Sequence, residues 1–172
     1  MVGLYIVEVV NPLIPKIHVI PNCRSKAESR RHLFMSHTPA GLKPCPVFVS
    51  VFGAPDILLA AGDGYVIEFA RDGADWIEKR RWNSWAGDAA STFGSAIYIT
   101  TDDGRLWVAD CVRHRVVCLN PSSGKLIATF GAADKKGADS ASLSTPQSIA
   151  ARGRRAVVFD SDNQRLVKLR LR

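Results

Sequence analysis

Histidine and acidic side chains are the residues of this sequence that could do chemistry, but their spacing matches no standard site. Asp160–Asn163 begins like a calcium loop, yet Arg165 stands where that loop needs glycine and no closing glutamate follows. Nucleophile-elbow, zinc-protease and phosphate-loop motifs are absent from the sequence. The four histidines lack the spacing of metal ligands: His18, His32, His37 and His114. We therefore predict no catalytic residue, no metal ligand and no cofactor.

Basic residues offer a different chemistry. Lysine and arginine outnumber aspartate and glutamate by 23 to 16, which gives a net charge of +7. Such a charge favours an acidic partner such as nucleic acid, although it also serves solubility. The predicted basic contact surface consists of Arg80, Arg81, Arg154, Arg155 and Arg170. Three tryptophans could stack on bases in that interpretation: Trp76, Trp82 and Trp85. The same arginines alternate with apolar residues, which equally suits half-exposed strands.

The cysteines show no redox or zinc motif, because none of them forms a Cys-x-x-Cys pair. They are Cys23, Cys45, Cys111 and Cys118. If residues 112–114 form the loop of a hairpin, Cys111 lies opposite Arg115 and Cys118 lies opposite Val108. Two cysteines so placed cannot be bridged, and we predict free, partly buried thiols.

The elements that must position these side chains are short, rich in β-branched and aromatic residues, and bounded by Gly, Pro, Asn and Asp, which is typical of strands and turns. Residues 1–45 are predicted as a poorly specified segment, with edge strands at 4–10 and 16–20 and a short helix at 27–35. Residues 46–172 are predicted as strand units at 46–82, 95–130 and 147–172. Within the first unit, 53–55 is predicted as a turn and 76–82 as a strand, with a helix at 77–81 as the alternative.

A fifty-residue repeat is the strongest signal in the sequence. Val66-Ile67-Glu68-Phe69, Val116-Val117-Cys118-Leu119 and Leu166-Val167-Lys168-Leu169 stand at fifty-residue steps. Short strands at this period, with no helix between them, favour stacked antiparallel sheets such as the blades of a β-propeller. A β-sandwich is the alternative, but it does not explain the recurrence.

Two pairs of opposite charge recur with the same period: Asp110 with Arg115, and Asp160 with Arg165. A carboxylate at a strand end can accept backbone N–H bonds from the following turn. An arginine five positions later could pair with it across the hairpin. We predict that both pairs are structural, and that they add little stability if they are exposed.

The sequence Gly104–Asp110, followed by Arg113–Val117, resembles NHL repeats, in which Gly-x-hydrophobic-x-Val-Ala-Asp precedes a polar turn and an arginine. Asp160–Val167 is similar to the Asp-Ser-x-Asn-x-Arg core of that family, and Phe130-Gly131 and Pro146 look like its inter-blade residues. These units cover about half of the chain. The unit at 46–82 departs from the pattern, with Ala60 in place of aspartate and Tyr65 in place of arginine.

The resemblance implies an all-β fold of antiparallel four-stranded blades, an incomplete NHL-type β-propeller. It implies a non-catalytic scaffold that binds a protein or another macromolecule. A metal-dependent, gluconolactonase-like propeller hydrolase and an RNA-binding NHL surface stay open as alternatives, because propellers host unrelated functions.

The predicted strands make two full blades and three strands of a third, fewer than a closed propeller needs. Three hypotheses account for this: residues 4–10 or 16–20 add an outer strand beside 165–171, two chains complete a ring as a homodimer, or the sequence is a fragment. The sequence has no apolar run long enough for a membrane span and no clear signal peptide. A cytoplasmic location follows if Met1 is the true start.

Overall fold

The computed structural model describes residues 4–8, 16–20, 31–34, 50–54, 57–62, 64–72 and 75–172. All regular structure in these ranges is β-strand. The strands form antiparallel sheets of three or four members, in which each strand pairs with its neighbour in sequence. The predicted all-β, antiparallel fold class is therefore confirmed.

Four sheets follow one another along the described chain. The first contains β1 (Leu4–Glu8), β2 (Lys16–Ile20) and β3 (Arg31–Phe34). The second contains β4 (Ser50–Ala54), β5 (Ile57–Gly62), β6 (Tyr65–Asp72) and β7 (Asp75–Trp82). The third contains β8 (Ile97–Asp102), β9 (Arg105–Asp110), β10 (Arg115–Leu119) and β11 (Leu126–Phe130). The fourth contains β12 (Pro146–Arg152), β13 (Arg155–Asp160) and β14 (Arg165–Arg170).

The inner strands of the third sheet, β9 and β10, are buried on both faces because this sheet lies between two others, whereas its outer strand β11 is mostly exposed. Almost every residue of β9 and β10 is buried. One face packs against the second sheet around Leu59, Val66, Leu106 and Val117. The other face packs against the fourth sheet in a second core: Trp107, Ala109, Val116, Cys118, Leu143, Ile149, Ala156 and Val158.

The two cores repeat each other at the fifty-residue step. Leu106 and Val108 of the first core correspond to Ala156 and Val158 of the second. The first strands of the second, third and fourth sheets, β4, β8 and β12, lie side by side. Successive sheets therefore stack in the same relation, which explains why the sequence period is constant.

The repeat also extends into the turn before the third strand of each of these sheets. The residue before that strand is Gly64, His114 or Gln164, and each has a positive φ, of 75°, 54° and 50° respectively. A left-handed residue is needed at this point of the turn, and glycine supplies it at the lowest cost. The positive φ is common to the three sheets, although two residues join β5 to β6 and four residues join β9 to β10 and β13 to β14.

Two predictions of local structure need correction, and one is confirmed. The predicted helix at 27–35 is wrong for Arg31–Phe34, because this segment forms β3 and pairs with β2; residues 27–30 and 35 lie outside the described residues. The predicted turn at 53–55 is wrong for Gly53 and Ala54, which belong to β4. Strand 76–82 is confirmed as part of β7, against the helical alternative.

The hypothesis that residues 4–10 or 16–20 supply an outer strand to the fourth sheet is also wrong. Strands β1 and β2 pair with each other, and β2 pairs with β3. Within the described chain, β14 pairs with β13 alone. The fourth sheet therefore has one strand fewer than the second and third sheets.

Candidate functional site

The carboxylate of Asp110 is the centre of a buried network between the second and third sheets. Its Oδ2 receives a hydrogen bond from Arg115 Nε at 3.2 Å, and its Oδ1 receives one from the Gly94 N–H at 3.1 Å. The other guanidinium nitrogens of Arg115 donate to the carbonyls of Ala90, at 2.7 Å, and Thr92, at 2.6 Å. Burial raises the pKa of Asp110, and the Arg115 charge works against that rise.

Asp160 is the centre of the equivalent network fifty residues later. Arg165 Nε donates to Asp160 Oδ2 at 2.9 Å, and the Ser144 N–H donates to Oδ1 at 2.6 Å. Arg165 also donates to the carbonyl of Ser142 at 2.7 Å. Ser144 and Ser142 stand fifty residues after Gly94 and Thr92, so the partners repeat along with the ion pair.

These networks hold the segment that leads into each sheet against the hairpin that follows. Both predicted ion pairs are present, and both carboxylates, Asp110 and Asp160, are fully buried. Arg115 is buried as well, whereas the side chain of Arg165 is 30% exposed. A carboxylate that is buried and already accepts several hydrogen bonds has little capacity for a ligand. This arrangement supports a structural role for both ion pairs. It does not resemble a contact site for either pair.

The predicted basic contact surface divides into two groups. Arg80 and Arg81 are held by neighbouring carboxylates, at 2.6 Å from Glu68 and 2.9 Å from Glu78. Arg80 also donates to the carbonyl of Ser122 at 3.0 Å. These two arginines are largely neutralised and serve local packing.

The other group lies on the fourth sheet. Arg154, Arg170 and Arg172, together with Arg105 of the third sheet, line a cavity of about 430 Å³. Arg155 lies directly opposite Arg170 on one side and Arg152 on the other. The structure therefore brings Arg154, Arg155 and Arg170 together and leaves Arg80 and Arg81 apart from them.

The outward side of the fourth sheet forms an exposed surface, which we call the outer face. Alternation along the strands turns one set of side chains to it and the other set to the core. It consists of Ser148, Ala150, Arg152, Arg155, Val157, Phe159, Leu166, Lys168 and Arg170. Cross-strand pairing arranges it into an apolar end and a basic row of three arginines, with no acidic residue among these positions.

The apolar part of the outer face corresponds to surface that is buried in the preceding sheet. Trp107 and Val116 are 2% and 1% exposed because the fourth sheet covers them. Their equivalents fifty residues later, Val157 and Leu166, are 38% and 68% exposed. Phe159, the equivalent of buried Ala109, is 39% exposed. The fourth sheet thus presents an interface-type surface without a covering sheet in the described structure.

Sequence reasoning missed these three apolar residues. The fifty-residue repeat could have identified them, because each stands fifty residues after a position that a stacked sheet must bury. They were overlooked because alternation of apolar and polar residues also suits an ordinary half-exposed strand.

Three further candidate residues make contacts within the fold, whereas the side chains of His18, His32, His37 and Trp76 are outside what the structure describes. His114 accepts the Thr145 N–H at Nδ1, at 3.2 Å, and does not belong to a metal cluster in the described residues. Asp162 accepts the hydroxyls of Ser144 and Thr145, at 2.9 and 2.7 Å. Trp85 lies under the guanidinium of Arg115, 4.6 Å from ring centroid to Cζ, so it packs a network and is not a free stacking platform.

The predicted register of the central hairpin is wrong by one position. Arg115 lies opposite Asp110, and Cys118 lies opposite Trp107, because the loop has four residues and ends in the left-handed His114. Cys111 and Cys118 are nevertheless free and buried. Burial raises the pKa of Cys111 to about 12 and that of Cys118 to about 11.

No family model matches the chain, and the comparison with curated proteins found no match. The described residues include no helix with the length and hydropathy of a membrane span. Nor do they include a group of three or more His, Cys, Asp or Glu side chains suited to a metal ion.

Proposed function

We propose that this chain is a non-catalytic, NHL-type β-propeller scaffold that binds an acidic protein partner through the outer face of β12–β14. The exposure of Val157, Phe159 and Leu166 carries the proposal. The same positions of the cross-strand register are buried at both preceding sheet-to-sheet contacts, and we infer from this that the outer face is shaped for packing. These positions are Leu59, Ala61 and Val66 in the second sheet and Trp107, Ala109 and Val116 in the third. Exposed apolar patches of this kind mark interaction sites more often than isolated apolar residues do.

The arginine row specifies the charge of the partner. Arg152, Arg155 and Arg170 lie side by side across three strands, and directly opposed like charges destabilise a sheet. Carboxylates on a partner surface would relieve this repulsion. A second copy of the chain that docked with the same face would offer no carboxylate to these arginines, because the outer face carries no acidic residue. The surface therefore fits an acidic partner better than a face-to-face homodimer.

The arginine row also favours a second candidate, an RNA partner. Arginine recognises phosphate well, and Phe159 offers one aromatic surface on which a base could stack. The apolar end of the outer face favours protein, because the phosphate backbone would find no partner there. No observation in the described residues favours the metal-dependent hydrolase.

Two variants and one control test the proposal. Phe159→Glu and Leu166→Glu place charge in the apolar end of the outer face, and Ile77→Glu places it at a comparably exposed position (39%) on β7. Each protein is immobilised, incubated with a lysate of its own host, and the retained partner is then purified and titrated. We expect the two outer-face variants to weaken the purified complex at least about tenfold and Ile77→Glu to leave it unchanged.

The same titration separates the candidates. A retained species that nuclease removes, and whose affinity falls steeply with salt, would establish the RNA partner in place of the protein. Equal affinity for the wild type, the outer-face variants and the Ile77 control would contradict the outer face as the binding site.

A further inference from the structure

The free edge of β14 differs from its counterparts in the preceding sheets. In those sheets β6 pairs with β7 and β10 pairs with β11, so the third strand is covered on both sides. In the fourth sheet, β14 is the third strand, and its partner in the described structure is β13. Backbone N–H and C=O groups at such an edge are available to an added strand.

The repeat shows which side chain an added strand needs. Trp82 of β7 lies opposite Val66, and Phe130 of β11 lies opposite Val116. Each aromatic residue packs against the core formed with the next sheet. The third member of this series is Leu166, which stands fifty residues after Val116 and is 68% exposed. An aromatic side chain opposite Leu166 would continue the pattern and extend the outer face.

A cavity beside β14 provides space for such a segment. It has a volume of about 230 Å³ and lies between β11 and β14. Its apolar lining includes Trp107, Ala128, Phe130, Leu169 and Leu171. A segment that paired with β14 would run past this cavity, so its apolar side chains would find a surface as its backbone formed hydrogen bonds.

The positive charge of β14 favours an added segment that carries acidic residues. The polar residues of β14 are Arg165, Lys168 and Arg170, all basic, and Arg165 is engaged by Asp160. Arg172 and Arg154 line the adjoining cavity. An approaching strand therefore meets positive charge at its polar positions, and acidic residues there would pair with Lys168 and Arg170.

We propose that β14 accepts an extended acidic segment of the protein partner as an antiparallel fourth strand, with an aromatic residue opposite Leu166. The segment alternates carboxylate and β-branched side chains, with the carboxylates opposite Lys168 and Arg170. Main-chain hydrogen bonds supply the pairing and the alternating side chains supply the selectivity. This inference deepens the proposed protein-binding function and rests on it.

The probe is a blocked heptapeptide, Ser-Glu-Val-Glu-Val-Phe-Gly, labelled with a fluorophore. In antiparallel register its two glutamates lie opposite Arg170 and Lys168, and its phenylalanine lies opposite Leu166. Its control replaces both glutamates by lysine. Binding to the full chain is followed by fluorescence anisotropy, and hydrogen exchange then locates the amides that the peptide protects.

We expect saturable binding of the acidic peptide, at least about tenfold weaker binding of the lysine peptide, and slower exchange of amides in 165–171. In the double variant Lys168→Glu/Arg170→Glu the preference should reverse, so that the lysine peptide binds more tightly. That reversal is a gain of binding, which a misfolded variant could not show.

Failure of the acidic peptide to bind, equal binding of both peptides, or binding without protection of 165–171 would each overturn strand addition. If the partner still requires Phe159 while no peptide protects β14, the proposed function stands and this inference falls. If the purified partner binds independently of Phe159 and Leu166, the proposed function itself fails.

Discussion

Replacement of Arg115 by methionine should destabilise the chain strongly. Arg115 is 3% exposed and Asp110 is fully buried, so the variant leaves a carboxylate in the core without its counter-charge. It also removes the donors to the carbonyls of Ala90 and Thr92. Loss of one partner from a buried ion pair costs about 3–5 kcal/mol, and we expect the free energy of unfolding to fall by this amount.

The second network supplies a graded comparison. Arg165 pairs with Asp160 in the same way, but its side chain is 30% exposed. Water can therefore replace part of what the guanidinium contributes, and the cost of Arg165→Met should be smaller, about 1–3 kcal/mol. Both variants remove the same group from the same repeat position. Two contacts act in the same direction as exposure: Arg115 also packs on Trp85, and Asp160 keeps a hydrogen bond from Asn163 Nδ2 at 2.7 Å when Arg165 is lost.

The second sheet suggests how the stability lost on replacing Arg115 could be partly restored. Ala60 and Tyr65 stand fifty residues before Asp110 and Arg115. A double variant, Asp110→Ala/Arg115→Tyr, places these two residue types in the third sheet and leaves no buried charge at either position. We expect it to be more stable than Arg115→Tyr alone by about 1–3 kcal/mol, because removal of both charges avoids the unpaired carboxylate.

Urea unfolding followed by tryptophan fluorescence and circular dichroism would measure these changes. The reasoning is refuted if Arg115→Met costs less than about 1 kcal/mol, or if Arg165→Met costs more than Arg115→Met. It is refuted equally if the double variant is no more stable than Arg115→Tyr.

Three further predictions concern turns and titratable groups. Gly131→Ala should lower the stability of the chain more than Gly124→Ala. Both glycines have positive φ, but a Cβ at Gly131 would meet a carbonyl oxygen at 2.6 Å, whereas one at Gly124 would meet nothing within 4 Å. Thermal unfolding of both variants would show the order, and equal losses of stability would contradict it. With the cysteines outside the described residues changed to serine, Cys111 and Cys118 should not react with a thiol reagent at pH 8, since burial raises their pKa values to about 12 and about 11; rapid labelling of the folded chain would show that they are accessible. Hydrogen bonds from threonine and serine hydroxyls lower the pKa of Asp162, so its contribution to stability is present above pH 3.8 and is lost as the pH falls. In Asp162→Asn the free energy of unfolding should therefore fall less steeply as the pH is lowered below 3.8. An unchanged dependence of stability on pH in this acid range would contradict the prediction.

The all-β fold could be predicted from the sequence because packing requirements repeat in each sheet. Strand, turn and fifty-residue spacing all reflect stacked sheets that bury the same positions each time, and the two Asp–Arg pairs are local to a hairpin. The N-terminal segment was harder. Residues Arg31–Phe34 follow a basic, helix-compatible stretch, and their pairing with β2 is a long-range contact that local propensity does not encode.

The candidate site was only half predictable. Arg154, Arg155 and Arg170 were identified by charge, but charge alone did not separate them from Arg80 and Arg81, whose carboxylate partners depend on cross-strand register and side-chain packing. The apolar half of the outer face is exposed because no other described sheet lies over β12–β14. That is a property of the assembled stack, and no local pattern in β13 or β14 reports it.

The solution mass of the chain, measured by light scattering after size exclusion, tests most directly whether the outer face is open to a partner. The account predicts 18.8 kDa, the mass of one chain, for both the wild type and Leu166→Glu, because an outer face offers no carboxylate to the arginines of a second outer face. A wild type at twice this mass, reduced to one chain by Leu166→Glu, would contradict the account and assign the outer face to a second copy.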